Sequence, residues 1–313
     1  MPTLNLTEPT KADTIVTGNI KPEQVSAVES FETYRSYLFS IAYRMLGSAM
    51  DAEDMVQETY LRYQAVPPES ILSLKAYLTT IVTRLSIDQL QLAYRQRESY
   101  LGPWLPEPII TKGGKLPDAE EGMVMQESLS LAFLVMLEKL QPAERAVFLL
   151  REVFDYDYAD IARFVGKQEA ACRQLFSRAK KHLASSQPER RIPVEENQQL
   201  ITGFIQAVRE GNTTALMDLL AEDAVLVADG GGKIPGAAIH PILGRVKVAE
   251  FAMHVNLDFL PAGYRVELSE VNHQPAAIAW MGDRALVVMT IEAEAGRIKA
   301  VDFMANPDKL AHL

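Results

Sequence analysis

Phe31, Tyr34, Leu38, Ile41 and Met45 recur at three- and four-residue spacing. That spacing predicts an amphipathic helix, closed by Gly47. Met55, Val56, Tyr60 and Tyr63 predict a second helix over 50–64, stopped by Pro67 and Pro68. A third is expected over about 73–97, with Leu74, Tyr77, Leu78, Ile81, Val82, Leu85 and Leu92 facing inward. Residues 1–28 read as a flexible polar extension, and 29–98 as an all-helical domain.

The periodicity then fails. Residues 99–125 carry Pro103, Pro106, Pro108 and Pro117 with interspersed glycines, so they form a linker without regular structure. Trp104, Leu105, Ile109 and Ile110 are too apolar for a free spacer, so the linker should lie against a protein surface. Helices resume near Glu120, and residues 126–186 form a second helical domain. Leu129, Phe133, Met136, Leu137 and Leu140 make one stripe, and Pro142 suits the first turn of the next helix. A short helix over 158–164, a turn at Val165-Gly166-Lys167 and a basic helix over 168–183 match a helix-turn-helix. Cys172 falls on the apolar face of that last helix with Leu175, Phe176, Ala179 and Leu183. It reads as a small buried hydrophobe.

Beyond a break at 187–193 the texture becomes mixed. Helices are expected over 195–210, 213–220 and 245–256, and strands over 224–228, 265–272, 276–281, 285–293 and 298–304. Helices followed by a run of antiparallel strands indicate an α+β domain over 193–313, with a concave pocket under a curved sheet. The expected fold class is multidomain, with two all-α modules and one α+β domain.

Composition narrows the function. The chain has 313 residues and a net charge of −10, which excludes a uniformly basic nucleic-acid coat. Residues 163–191 nevertheless hold eight basic and two acidic side chains, whereas 192–313 hold nine basic and sixteen acidic ones. One basic surface on an acidic protein reads as a single nucleic-acid-facing patch. One cysteine permits no internal disulfide, which fits a reducing cytoplasm. No signal-peptide core is visible, and the apolar run 129–137 is too short to span a bilayer, so no membrane partner is expected.

The segment Asp51-Ala52-Glu53-Asp54-Met55-Val56-Gln57-Glu58-Thr59-Tyr60-Leu61-Arg62 resembles the core-polymerase-binding signature in region 2 of extracytoplasmic-function (ECF) sigma factors. Leu140-Gln141-Pro142-Ala143-Glu144-Arg145, Tyr158-Ala159-Asp160-Ile161-Ala162 and Ser177-Arg178-Ala179 resemble the region 4 signature. The tail resembles the SnoaL-like, NTF2-like fold. Trp104-Leu105-Pro106-Glu107-Pro108, Asp229-Gly230-Gly231-Gly232-Lys233 and Asn306-Pro307-Asp308-Lys309-Leu310 are similar to an ECF group with such a fused extension.

The resemblance implies an alternative sigma factor that directs core RNA polymerase to −35/−10 promoters. It implies regulation in cis by the tail, with no separate anti-sigma factor required. Asp51, Asp54, Gln57 and Glu58 would meet the polymerase, whose β′ and β subunits are the implied partners. Physically, Asp51, Asp54 and Glu58 share a helix face, and carboxylates early in a helix suit its dipole. Arg84, Gln91, Arg95 and Arg97 would engage the −10 element, where cations hold the backbone and stacked or flipped bases are read. For Arg84 an ion pair with Asp88 is the competing reading. The loop 66–74 matches the family's loop that captures a flipped base. Gln168, Arg173, Ser177, Arg178 and Lys181 would face the −35 major groove, although Arg178 could instead pair with Asp160. Trp104, Asp229, Lys233, Asn306, Asp308 and Lys309 would form the interdomain contact.

Asp229, His240, His254 and Asp258 are the tail's candidates for catalysis, but their spacing defines neither a triad nor a metal site. No enzymatic activity, metal or cofactor is expected, and a small-molecule ligand in the tail's pocket is left open. The rival readings are a one-component helix-turn-helix regulator with a ligand-binding tail, and an NTF2-like enzyme carrying a DNA-binding appendage.

Overall fold

The structure, a computed structural model, describes residues 22–111, 128–184, 192–255 and 259–313. Three helices lead: α1 (Pro22–Leu46), α2 (Ala49–Gln64) and α3 (Leu74–Arg97). Residues 22–28 therefore belong to α1, not to a flexible extension. A proline suits the first turn of a helix, where its missing N–H is not needed. Gly47 adopts φ +67° and ends α1. Ser48 and Ser73 cap α2 and α3, accepting from Asp51 N and Ala76 N. Leu92 is 52% exposed, against the expectation, and Leu90 is fully buried in its place. Leu78, Val82 and Leu90 lie on one face at multiples of four, and Leu92 falls two residues off it.

The second helical set comprises α4 (Leu131–Leu137), α5 (Pro142–Glu152), α6 (Tyr158–Val165) and α7 (Glu169–Leu183). The helical start expected near Glu120 lies outside the described residues. Asp157 caps α6 and Gly166, at φ +67°, terminates it, producing the turn into α7. Cys172 is fully buried, and burial pushes its thiol pKa up, as for an unreactive core cysteine. The two helical sets share one core: Phe31, Leu38, Ile41 and Val82 pack in the same cluster as Leu134, Leu137, Leu140 and Phe148.

The C-terminal part contains α8 (Val194–Arg209), α9 (Thr213–Leu219), β1 (Leu220–Asp229), β2 (Ile242–Leu243) and α10 (Arg245–His254). After these come β3 (Arg265–Val271), β4 (Gln274–Met281), β5 (Arg284–Glu294), β6 (Arg297–Met304) and α11 (Pro307–Leu310). The short β2 and α11 leave no periodic signal and were not expected. The sheet order is β2-β1-β6-β5-β4-β3, antiparallel except for the β1–β6 pair. Register shifts at Ala279/Trp280 and Glu292/Ala293 bend it. Its concave face packs on α8–α10 through Leu200, Phe204, Leu226, Val248 and Phe303. Its other face carries Ile278, Trp280, Val288 and Met304, and these meet Leu105 and Ile110 of the linker and Val135 of α4. Both faces of β4 are covered, so its burial is continuous instead of alternating.

Candidate functional site

The linker lies between the helical body and the outer face of the sheet. Its grip begins at Trp104, whose ring lies on Gly47. A Cβ at Gly47 would sit 2.7 Å from that ring, so only glycine permits the approach. The Arg97 guanidinium stacks 3.4 Å from the ring centroid and Lys309 Nζ lies 4.1 Å from it, so the indole sits among cations. Glu107 is buried and reaches back to the start of α2. Its carboxylate accepts from Ser48 Oγ at 2.9 Å, Ala49 N at 2.6 Å and Met50 N at 3.1 Å. The linker thus supplies a second cap to the helix that carries Asp51–Arg62.

On the tail side Asp229 is fully buried. It accepts from Leu105 N at 2.8 Å, from Gly231 N at 3.0 Å and from the Tyr100 hydroxyl, and it pairs with Lys309 at 2.7 Å. Lys309 also donates to Leu105 O at 2.5 Å, and Asn306 Nδ2 donates to Tyr100 Oη at 2.9 Å. Further along, Asn272 exchanges hydrogen bonds with Ile109 and donates from Nδ2 to Tyr43 Oη and Leu129 O. The sequence-derived interdomain residues Trp104, Asp229, Asn306 and Lys309 therefore meet around the linker. Lys233 and Asp308 pair with each other at 2.5 Å on the exposed rim. Tyr100, Glu107 and Asn272 were missed as partners. Only Glu107 had a sequence signal, inside the Trp-Leu-Pro-Glu-Pro run.

Burial pulls the Lys309 ammonium pKa from its ordinary 10.5 down to about 8, with Asp229 opposing and Arg97 and Glu107 adding smaller, opposed effects. Tyr100 is held above its ordinary range by burial and by Asp229. If parting the linker from the C-terminal domain (opening, as against the closed arrangement described here) rehydrates Lys309, the closed form binds fewer protons than the open form between these values. Closure is then favoured as pH rises through that window and loses that support as pH falls through about 8. In a Trp280→Phe protein, acrylamide quenching of Trp104 is expected to fall between about pH 7.5 and about pH 9.5, and Lys309→Met should remove the dependence. Quenching that rises over this range would contradict the assignment.

The helical sets are also clamped directly. Arg84 donates to Phe164 O at 3.0 Å and Arg163 O at 2.8 Å, the carbonyls ending α6. It makes no pair with Asp88. Arg97 pairs with Glu138 and donates to Leu46 O at 3.0 Å. Arg145 is fully buried and donates to Glu138 at 2.5 Å and Arg44 O at 3.1 Å. Tyr37 and Tyr156 hydroxyls meet at 2.5 Å under Lys75. Two cations expected at the −10 element are thus engaged by other parts of the protein in this conformation, Arg97 half-buried and Arg84 while still exposed. The reason is geometric: α3 carries them into the seam with α4 and α6.

Other expected site residues face outward. Asp54 and Gln57 are exposed on α2, Asp51 accepts from Gln89 at 3.0 Å and Glu58 pairs with Arg62. Gln91 and Arg95 are exposed on α3, and Leu72 stands fully exposed in the loop before it. Gln168, Arg173, Ser177, Arg178 and Lys181 are all exposed along α7. Arg173 pairs with Glu169 and covers the Tyr158 ring. Asp160 takes Arg163 as its partner, not Arg178.

Under the concave face lie two adjoining hollows of about 120 Å³ and about 70 Å³. None of Asp229, His240 and His254 lines either one, and Asp258 lies outside the described residues. His254 lies edge-on to the Phe259 ring. Among the described residues no cluster suits a metal, and no helix is long and apolar enough to cross a membrane.

A helical body with a helix-turn-helix and an acidic second helix defines a class. Residues 30–97 match the Sigma-70 region 2 family, and residues 130–183 match Sigma-70 region 4. Over 292 residues the chain is 35% identical to the ECF RNA polymerase sigma factor SigJ of Mycobacterium tuberculosis, covering 90% of this chain and 92% of the relative. It is 28% identical over 283 residues to the probable ECF sigma factor SigI of the same species, covering 90% and 93%. The crystal structure of SigJ superposes with a TM-score of 0.71 at 33% identity, covering 91% of this chain and 98% of that one. The chain belongs to the ECF sigma factor family, and it carries a six-stranded sheet domain after region 4. As an alternative sigma factor it works with core RNA polymerase on promoter DNA.

Proposed function

We propose that this conformation is the closed, resting form of the sigma factor, held in cis by the linker and the C-terminal domain. The observation that carries the reading is Arg84, which sits on the helix assigned to the −10 element yet is bound by the carbonyls that end α6. Region 2 and region 4 share one core here, so they cannot reach two separated promoter elements without parting. No separate anti-sigma factor is needed to keep them together.

When opened, the α2 face with Asp51, Asp54, Gln57 and Glu58 docks on a basic surface of core polymerase, the coiled coil of its β′ subunit. Arg84, Gln91 and Arg95 of α3, with the loop 66–74, hold the melted −10 strand. Arg97 serves the lock instead. The exposed side chains of α7 read the −35 element in the major groove. The factor acts in the cytoplasm. Its C-terminal domain has a regulatory part, a reading supported by the walls of its hollows, which among the described residues carry neither carboxylate nor imidazole. The one-component regulator is not favoured, because it has no use for a complete region 2.

In vitro transcription with core polymerase tests the reading. Specific starts are expected with the intact chain or its opened variants. Asp54→Ala, an exposed change, should reduce them about tenfold or more without altering the fold. No specific starts with any of these proteins would overturn it.

A further inference from the structure

We infer that the paired hollow of the C-terminal domain is a binding site for a small apolar carboxylate, and that filling it loosens the linker lock. The inference rests on the closed-form reading above and names its input. The two hollows share Val255, Leu260, Val287 and Phe303 as walls, so they form one two-lobed chamber. Protein interiors seldom leave voids larger than a water molecule. An apolar cavity of about 150 Å³ stays dry and takes up benzene, so this chamber suits an apolar body of about eight non-hydrogen atoms.

The chemistry of the rim selects the other end of the ligand. Among the described residues, Arg209 is the one charged side chain lining the chamber. It is exposed, lies 5.9 Å over the Tyr264 ring, and has no carboxylate partner among the described residues. A guanidinium at the mouth of an apolar hole favours a carboxylate head with a hydrocarbon or single-ring body. Among the described residues the walls carry no acid–base pair, which suits binding of the ligand rather than its turnover.

The chamber is built into the lock. Ala228 and Ala305 line it, and the next residue of each segment, Asp229 and Asn306, grips Tyr100. Ala305 N donates to Asp229 O at 2.8 Å, tying the two segments together. Gly236, at φ +78°, lets the Phe259 ring close against the lip, where a Cβ would collide with it. A body wedged between Ala228, Ala305 and Phe259 displaces the strand end that presents Asp229 to the linker.

The test uses the full chain carrying Trp280→Phe, which leaves Trp104 as the only tryptophan. Trp280 Nε1 has no hydrogen-bond partner, so that change is mild. Octanoate and phenylacetate are titrated by calorimetry, with octanol as the uncharged comparison, while Trp104 emission is followed. Saturable binding with a red shift of Trp104 is expected. Val287→Phe should weaken binding more than about tenfold by filling the shared wall. Arg209→Gln, a surface change, should weaken octanoate about tenfold and leave octanol unchanged. Absence of saturable binding overturns the site. Binding that leaves Trp104 unmoved, or that survives Val287→Phe in a folded protein, overturns it equally. The closed-form reading fails separately, because opening by substitution at Asp229 needs no ligand.

Discussion

Asp229→Ala is expected to open the protein and raise promoter-specific transcription. The substitution leaves Lys309 buried without its carboxylate, and it removes the acceptor for Leu105 N and Tyr100 Oη. Breaking a buried ion pair by deleting one partner costs about 3–5 kcal/mol, because the remaining charge is uncompensated. At about 1.4 kcal/mol per tenfold, the closed form loses two decades or more of population. Amide hydrogen exchange should show protection lost at residues 105–111 while α8–α10 keep theirs. Asp229→Asn retains an acceptor and should fall in between. The Asp229→Ala, Lys309→Met pair should recover part of the loss, since the orphaned charge is gone. Unchanged exchange in the linker of Asp229→Ala would remove the pair from the lock.

Glu107→Ala acts from the other side of the linker. Its carboxylate serves Ser48 Oγ and the amides of Ala49 and Met50 in a buried setting. Losing a cap and leaving those donors unpaired costs about 2 kcal/mol, an increase of about 30-fold in exchange at the first turn of α2. The linker would still hold region 2 through Trp104 and through the main chain of residue 107, which bonds Gly47 O and Tyr43 Oη. Transcription should rise, less than with Asp229→Ala, and the rise should vanish when Asp54→Ala is added. A gain that persists without Asp54 would mean that the α2 face does not carry the docking. Glu107→Gln keeps one acceptor oxygen and should lose less.

Most of the elements were legible because their signals are local. Apolar spacing in 31–45, 74–90 and 172–183, serine caps, and prolines and glycines at the ends marked the helices. Runs of Val and Ile between turns marked β3 to β6. The resemblance to an ECF group with a fused extension singled out Trp104, Asp229, Asn306 and Lys309, together with Lys233 and Asp308, because they stand in the three segments that carry it. Leu92 and residues 22–28 were misread. In the first case inward and outward positions alternate too closely near a helix end. In the second, polar residues in a helix look the same as polar residues in a tail.

The seam between region 2 and region 4 was not legible. Arg84 and Arg97 carry the same side chain as Arg95, and nothing in their spacing says which faces solvent and which faces a neighbouring helix. Their partners lie 41 to 80 positions away. Glu107 likewise reads as one acidic residue between prolines until the linker is seen folded onto Ser48. By itself the sequence determined the sigma modules, the linker and the sheet domain, since periodicity, capping and motif spacing are written within each segment. Only the tertiary structure decided that these parts close on one another, because burial pairs a charge with a partner in space and not with one nearby in the chain.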